Sequence, residues 1–380
     1  MASRRRVLGL VGAGVNGGIP LWVRAEPGVR EDEVLIGRTT PASPPFTPMT
    51  MQRRVGANAC IAAVNAAGGV HGRKLRIVDL DDAYLPERAR ANARQLIERD
   101  RVFALLGAFG TQTLSAVMSV AEQLRVPLVG ATTLGRDERQ PAKRYVFPVR
   151  ISAQAETLHV VKHQKTLGVE RFAILASKEG YGPEGAVEFV DALQQLGSKP
   201  VAHLNVGFAE PVEAVARQLL ASDAQAVLAS VLPPTLARVL KTYRANGGSA
   251  RVLGFSSMRI EDLIEALGPL AAGMSLSQAV PVPNSKSVPL SRRFQGALAT
   301  FDRTAAASYQ GLDAYLEALV LVEGLQRAGR NLTREGLVDA LESLKMHDFG
   351  GVFVKYGRGD RTGSTYIDIV MLGDKGRIVY

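Results

Sequence analysis

One cysteine, Cys60, in 380 residues excludes an internal disulfide framework and leaves the redox compartment open. No apolar run reaches the roughly 18 residues that a membrane-spanning helix requires. Catalytic signatures are missing as well: the chain has no G-x-S-x-G elbow, no Walker loop and no C-x-x-C pair. Its net charge of +10 is not gathered into a basic stripe interleaved with aromatics, so nucleic acid is not an expected partner. Four of the basic residues, Arg4, Arg5, Arg6 and Arg24, fall in residues 1–25, which contain no acid. What the chain does have is 38 glycines and a hydrophobic share of 46%, enough for one large domain or two lobes with real cores.

The N-terminal glycines invite a false reading. "VGAGVNGG" holds Gly12, Gly14 and Gly17 in the G-x-G-x-x-G spacing of a dinucleotide fingerprint. That motif needs a strand before it and a helix after it, yet Pro20 and Trp22 follow at once. Glu31 and Asp32 precede a strand rather than end one. An export signal accounts for every part: basic "SRRR", a modest apolar stretch from Val7 to Val23, and "VRA" as a cleavage site before Glu26. "SRRRVLG" is similar to a twin-arginine signal. The expectation is an exported, periplasmic protein whose mature chain starts near Glu26. A cytoplasmic NAD-dependent α/β enzyme is the alternative.

From Glu33 onward strands alternate with helices, the pattern of parallel sheets covered on both faces. "EVLIGRTT" is a strand running into the Pro-rich loop "PASPPFTP". A helix follows to about Asn65 and stops at Gly68-Gly69. "KLRIVDLDD" is the next strand, and residues 87–98 put Ala89, Ala93, Leu96 and Ile97 on one helical face. "VFALL", a helix to Gln123, and "VPLVGATT" complete a first set. "RFAILAS", "AVLASV" and "RVLGFSS", with helices between them, form a second. "ARQLIERDRVFALLG" (93–107) aligns without gaps on "ARQLLASDAQAVLAS" (216–230), which suggests two α/β lobes of one design. Loop 107–113 then corresponds to "SVLPPTL" (230–236). Ligands of open α/β sheets bind beyond the carboxyl ends of the strands, so two facing lobes would close a cleft between these loops.

Metal and enzyme readings are weak beside a binding one. His159 and His163 lie four apart on a helix but lack a third ligand, and a solvated helix face accounts for them. "DLDD" (79–82) lacks the spacing of a calcium loop, and "RGD" (358–360) carries little meaning alone. No metal or cofactor is expected. In "LLGAFGTQTLSAV", by contrast, Gly110, Thr111 and Thr113 offer donors where a strand hands over to a helix. "GATTLG" supplies a second hydroxyl-rich turn, and Tyr181 in "EGYGPEG" a ring suited to closing over a ligand. A phosphate would want a lysine or arginine in the first loop, and none is there; a carboxylate or an isosteric amide fits better.

These segments resemble the periplasmic solute-binding proteins of ABC transporters, in the branched-chain amino-acid-binding (type I) family. The similarity runs in order through "VNAAGGVHGRKLRIVDLDDAYLP", "LLGAFGTQT", "VPLVGATT", "RYVFPVR", "EGYGPEGA", "SQAVPVP", "ASYQGLDAYLEALVLVEGL" and "GDRTGSTYIDIVMLGDKGR". The resemblance implies an α/β fold of two Rossmann-like lobes with parallel sheets, joined by three hinge crossings. It implies closure around a small ligand and delivery to an ABC transporter permease, with no enzymatic activity; a ligand-sensing receptor domain of the same fold is the alternative. By analogy the crossings fall near Arg150, Val280 and Phe349. Residues 26–150 and 281–348 would then form the first lobe, and 151–280 with 349–380 the second, in a monomer.

Carried over by position, Gly110 and Thr111 would meet a ligand carboxylate through backbone and hydroxyl, with Thr132 and Thr133 on the neighbouring turn. Phe46, Phe109 and Tyr181 would line or cover the pocket. The chain departs from the family pattern at "PASPPFTP", at Leu232 where an aromatic is frequent, and at "GFSSM". There Ser256 and Ser257 stand where amino-acid binders often carry an acid for the ammonium. Glu156 is the nearest other acid and reads as a solvated helix start. A buried ammonium without a carboxylate partner costs several kcal/mol. The expected ligand is therefore a small carboxylate or amide with an apolar body, over the branched-chain amino acid that is the family's default.

Overall fold

The first alternating set folds into a five-stranded parallel sheet. Its strands are β1 (Glu33–Thr40), β2 (Lys74–Asp81), β3 (Ala104–Leu106), β4 (Leu128–Val129) and β5 (Val146–Phe147), in the order β2-β1-β3-β4-β5. The computed structural model describes residues 26–44, 46–132, 139–373 and 377–379; the expected export signal, residues 1–25, lies outside them. Helices α1 (Thr47–Ala66), α2 (Pro86–Arg94) and α3 (Thr111–Leu124) make the crossovers. Past α2 the chain continues as a π-helical turn, Gln95–Arg99, and Ala89, Ala93, Leu96 and Ile97 are all buried, as their spacing predicts.

The second set repeats the plan. Strands β6 (Phe172–Ser177), β7 (Ala202–Val206), β8 (Ala226–Ser230), β9 (Arg251–Gly254) and β10 (Ser275–Gln278) run parallel in the order β7-β6-β8-β9-β10. They are covered by α4 (Ala153–Thr166), α5 (Gly182–Gln195), α6 (Glu213–Ala221), α7 (Pro233–Ala245) and α8 (Ile260–Leu267). The gapless sequence similarity ends in β3 and in β8, and each is the third strand of its lobe, flanked by the equivalent neighbours. Both faces of each sheet are apolar. In β6, Phe172 and Ile174 enter one core with Phe189 of α5, while Ala173 and Leu175 point into another. Continuous rather than alternating hydrophobicity is what a doubly covered parallel strand requires.

The chain passes between the two sheets three times. It leaves after β5, returns after β10 into α9 (Pro289–Phe301), α10 (Tyr309–Ala328) and α11 (Arg334–Glu342), and leaves again toward β14 (Asp368–Leu372). Before that last passage β11 (Lys345–Asp348), β12 (Phe353–Gly357) and β13 (Asp360–Ser364) form a small antiparallel sheet. It packs on the edge of the first lobe: the Tyr356 hydroxyl donates to the Pro148 carbonyl at 2.8 Å, and Arg361 stacks on Phe147 at 4.2 Å. The Arg-Gly-Asp tripeptide belongs to the β12–β13 turn, with Asp360 bonded to Thr362. Strand β14, with β15 (Ile378–Val379), extends the second sheet antiparallel to β10.

Helix α10 packs lengthwise on α1, and two features fix that contact. Gly56 lies so close to α10 that an added Cβ would sit 1.9 Å from the Gly311 carbonyl oxygen. Three charged side chains lie alongside: Arg53 of α1 donates to Asp313 at 2.5 Å and to Glu317 at 2.6 Å, all three being buried. Thr132, after β4, donates its hydroxyl to the same Glu317 oxygen at 3.0 Å. Burial pushes the Glu317 carboxyl up to about 7; Arg53 opposes the shift and Asp313 adds to it. Burial alone would lower the Arg53 pKa, but the two carboxylates outweigh it and hold the guanidinium above its ordinary value.

Two predictions follow from this contact. Gly56→Ala forces α1 and α10 apart and is expected to cost about 1–3 kcal/mol or more, read as a lower urea midpoint. For Glu317, whose folded pKa exceeds the roughly 4.3 of an unfolded glutamate, the stabilising contribution is full below that value and is lost as pH rises toward about 7. The stability of wild type relative to Glu317→Gln is therefore expected to fall across that window. Urea titrations at a series of pH values check it, and a pH-independent difference would refute it.

Candidate functional site

The carboxyl ends of both sheets face a cleft of about 1150 Å³, slightly above the roughly 300–1,000 Å³ usual for small-molecule sites. Its first wall is built by the acids that end β2. Asp81 accepts from the N–H groups of Ala42 and Ala83 at 2.7 and 2.8 Å and from the Ser43 hydroxyl at 2.9 Å. Asp82 accepts from the Thr39 hydroxyl at 3.1 Å and the Tyr84 N–H at 2.9 Å. These bonds tie the Pro-rich loop to the loop after β2 and bring the rings of Phe46 and Tyr84 to 4.3 Å, with Phe109 5.9 Å from Phe46. The acids of "DLDD" thus position aromatics. Among the described residues no group of three or more His, Cys, Asp or Glu is arranged to hold a metal, and His159 is exposed on α4.

Gly110 begins α3 at φ +102°, and an added Cβ would lie 2.4 Å from the Tyr84 ring. Only glycine brings the loop so near that ring while adopting a left-handed backbone. The donors expected of this loop are largely engaged inside the protein. Gly110 N–H bonds the Thr132 carbonyl at 3.0 Å, and the Thr111 N–H bonds the Tyr84 hydroxyl. The Thr113 hydroxyl bonds the Phe109 carbonyl at 2.7 Å, and the Thr132 hydroxyl turns to Glu317. Thr133 lies outside the described residues.

The second wall comes from the other lobe. Tyr181, at the start of α5, and Leu232, before α7, line the cleft together with Ser257 and Met258. Burial and the neighbouring Tyr84 push the Tyr181 hydroxyl above its ordinary pKa, so it stays a neutral donor. The N-termini of α1, α3, α5 and α7 all meet this space, and each favours negative charge by about 0.3–1 kcal/mol.

On the floor between the lobes stand Arg150, from the first passage, and Glu156 of α4. Glu156 is only 3% exposed, so its reading as a solvated helix start is corrected: the first turn of α4 faces the interlobe space, not water. Its Oε1 accepts from the Ser256 N–H at 2.9 Å, the Ser256 hydroxyl and the Ser277 hydroxyl at 2.6 Å. Ser256 also accepts a hydrogen bond from Arg150. It is buried behind the cleft surface, and Ser257 is the serine that lines it.

The structure therefore brings Phe46, Phe109, Gly110, Thr111, Thr132 and Tyr181 to one cleft. Tyr84, Arg150 and Met258 were missed by sequence. Tyr84 had a signal, since it follows β2 at the sheet's carboxyl end; Arg150 and Met258 had none that spacing reveals.

The family model described as periplasmic binding protein matches residues 33–377. An amino acid binding protein of Pseudomonas aeruginosa is 26% identical over 62% of this chain, and the match spans 64% of that relative, under two thirds of its length. Leu/Ile/Val-binding protein homolog 3 of Brucella melitensis is 23% identical over 91% of this chain and 93% of its own. The crystal structure of a substrate-binding periplasmic protein from Ralstonia solanacearum superposes with a TM-score of 0.81 at 28% identity, covering 91% of this chain and 99% of that one. With its two parallel-sheet lobes and the cleft between them, this chain belongs to the periplasmic binding protein family, whose members are solute-binding proteins and not enzymes.

Proposed function

We propose that the protein is exported and captures a small solute between its lobes, a carboxylate-bearing molecule or amide with an apolar body, and delivers it to an ABC transporter permease. The observation that carries this reading is the cleft itself, bounded by strand ends of both lobes and lined by aromatics at helix N-termini. The relatives' names support an amino acid as one member of that class. The placement of Glu156 removes the ground for disfavouring an ammonium, because an acid does stand in the cleft.

The ligand-binding set is Phe46, Phe109, Gly110, Thr111, Thr132, Tyr181 and, behind the surface, Ser256. The two lobes move about crossings near Arg150 and Val280. For the third crossing, expected near Phe349, the packing of β12 and β13 on the first lobe supports a position past Ser364. Closure over ligand is a hinge movement.

A thermal-shift screen of amino acids, aliphatic and aromatic acids, amides and ureas is expected to yield a stabilising ligand, and small-angle scattering at saturation to show a monomer of smaller radius than the free protein. An unchanged radius would refute hinge closure. The N-terminus of the native protein is expected near Glu26, and cells lacking the protein should lose high-affinity uptake of the identified solute.

A further inference from the structure

We propose that Arg150 and Glu156 form the head-group site of this cleft, selecting a ligand that carries a hydrogen-bond acceptor and a donor side by side and no net charge. The assignment rests on reading the cleft as the ligand site. Arg150 takes the carboxylate or carbonyl oxygen; Glu156 takes the ammonium or amide N–H. An α-amino acid and a primary amide both have this form.

The two groups are buried, opposite in charge and left incompletely paired. Arg150 NH2 lies 3.7 Å from Glu156 Oε2, and Arg150 NH1 lies 3.8 Å from Asp313, both beyond hydrogen-bond reach. The one side-chain hydrogen bond of Arg150 among the described residues goes to the Ser256 hydroxyl. A guanidinium has five N–H donors, and the neighbouring Arg53 uses its own more fully, with carboxylates at 2.5 and 2.6 Å and the Thr132 hydroxyl at 3.3 Å. Glu156 is equally one-sided. Its Oε1 accepts three hydrogen bonds, and its Oε2 accepts none from the described residues. Both residues line the cleft.

The obvious competitor for a carboxylate, the Gly110–Thr132 corner, is already bonded to itself. Charge selects further. Arg150 stands between Glu156 and Asp313, so both signs of charge face the same space. A bare carboxylate entering it meets Glu156 and Asp313, and a bare ammonium meets Arg150. A ligand that brings both groups, or neither charge, escapes both penalties. Its apolar body would then lie toward Phe46, Phe109 and Tyr181.

Isothermal titration of the full chain with two probe series tests this. One is L-leucine, 4-methylpentanamide, 4-methylpentanoate and 3-methylbutylamine; the other is L-phenylalanine, 3-phenylpropanamide, 3-phenylpropanoate and 2-phenylethylamine. In at least one series the amino acid or the amide is expected to bind at least 100-fold more tightly than the acid and the amine. An acid or amine that binds as well as both overturns the assignment. So does failure of all eight probes: if the wider screen then finds a ligand, only the head-group site falls, and if it finds none, the cleft reading falls with it. Arg150→Lys, which keeps the charge and loses the fork, should weaken the best probe at least tenfold, and affinity within threefold of wild type overturns the role of Arg150. Should that variant fail to fold, the wild-type series still decides.

Discussion

The buried contact of Arg53 with Asp313 and Glu317 is the constraint on which the cleft depends. Three charges removed from water are tolerable only when they hold one another, and deleting one partner of such a set costs about 3–5 kcal/mol. The set therefore dictates where α1 and α10 lie relative to each other, and the Thr132 hydroxyl ties the turn after β4 to the same carboxylate. Phe46 stands immediately before α1, and Thr132 pairs with Phe109. A charge cluster inside the first lobe thus positions the aromatics and the hydroxyl turn that face the cleft.

Arg150 continues that chain of charge across the interface. Asp313 stands on its first-lobe side at 3.8 Å, and Ser256 with Glu156 on its second-lobe side. A guanidinium at the crossing senses both lobes at once, whereas Arg53 is locked within one. Two close carboxylates on Arg53 beside none within hydrogen-bond reach of Arg150 is an informative contrast. Natural interiors satisfy buried polar groups, so under-used donors and acceptors on a cleft floor point to a partner that comes and goes.

The same accounting recasts the glycine-rich loop after β3. Its composition advertises donors at a helix N-terminus, but a donor counts for a ligand only if the fold leaves it without another acceptor. Gly110 and Thr132 bond each other across the strand ends, and Tyr84 takes the Thr111 N–H. What the loop contributes is shape. Gly110 admits the Tyr84 ring, and the ring packs against Phe46 to close an apolar wall. The field of the helix N-terminus persists regardless, because it arises from the aligned backbone.

Much of this was legible in sequence, for local reasons. Apolar runs such as "FAILAS" and the helical stripe Ala89, Ala93, Leu96, Ile97 declare strands and helices through periodicity alone. The 123-residue offset announced a second lobe that the strand order matches. Thr111 and Tyr181 could be assigned to a cleft because strand ends are where open α/β sheets place their ligands, and Phe46 and Phe109 because the family resemblance implied them. The fate of Glu156 could not be seen. An acid in the first turn of a helix looks solvated unless one knows that the other lobe and Ser256, 100 residues away, close over it. Nor could sequence pair Arg53 with residues 260 and 264 positions on, or bring Tyr84 against Gly110. Periodicity and turn chemistry determined the elements and their order. Which polar groups are satisfied and which are left open to a ligand was decided by long-range packing, because hydrogen bonding and burial depend on what the rest of the chain brings alongside.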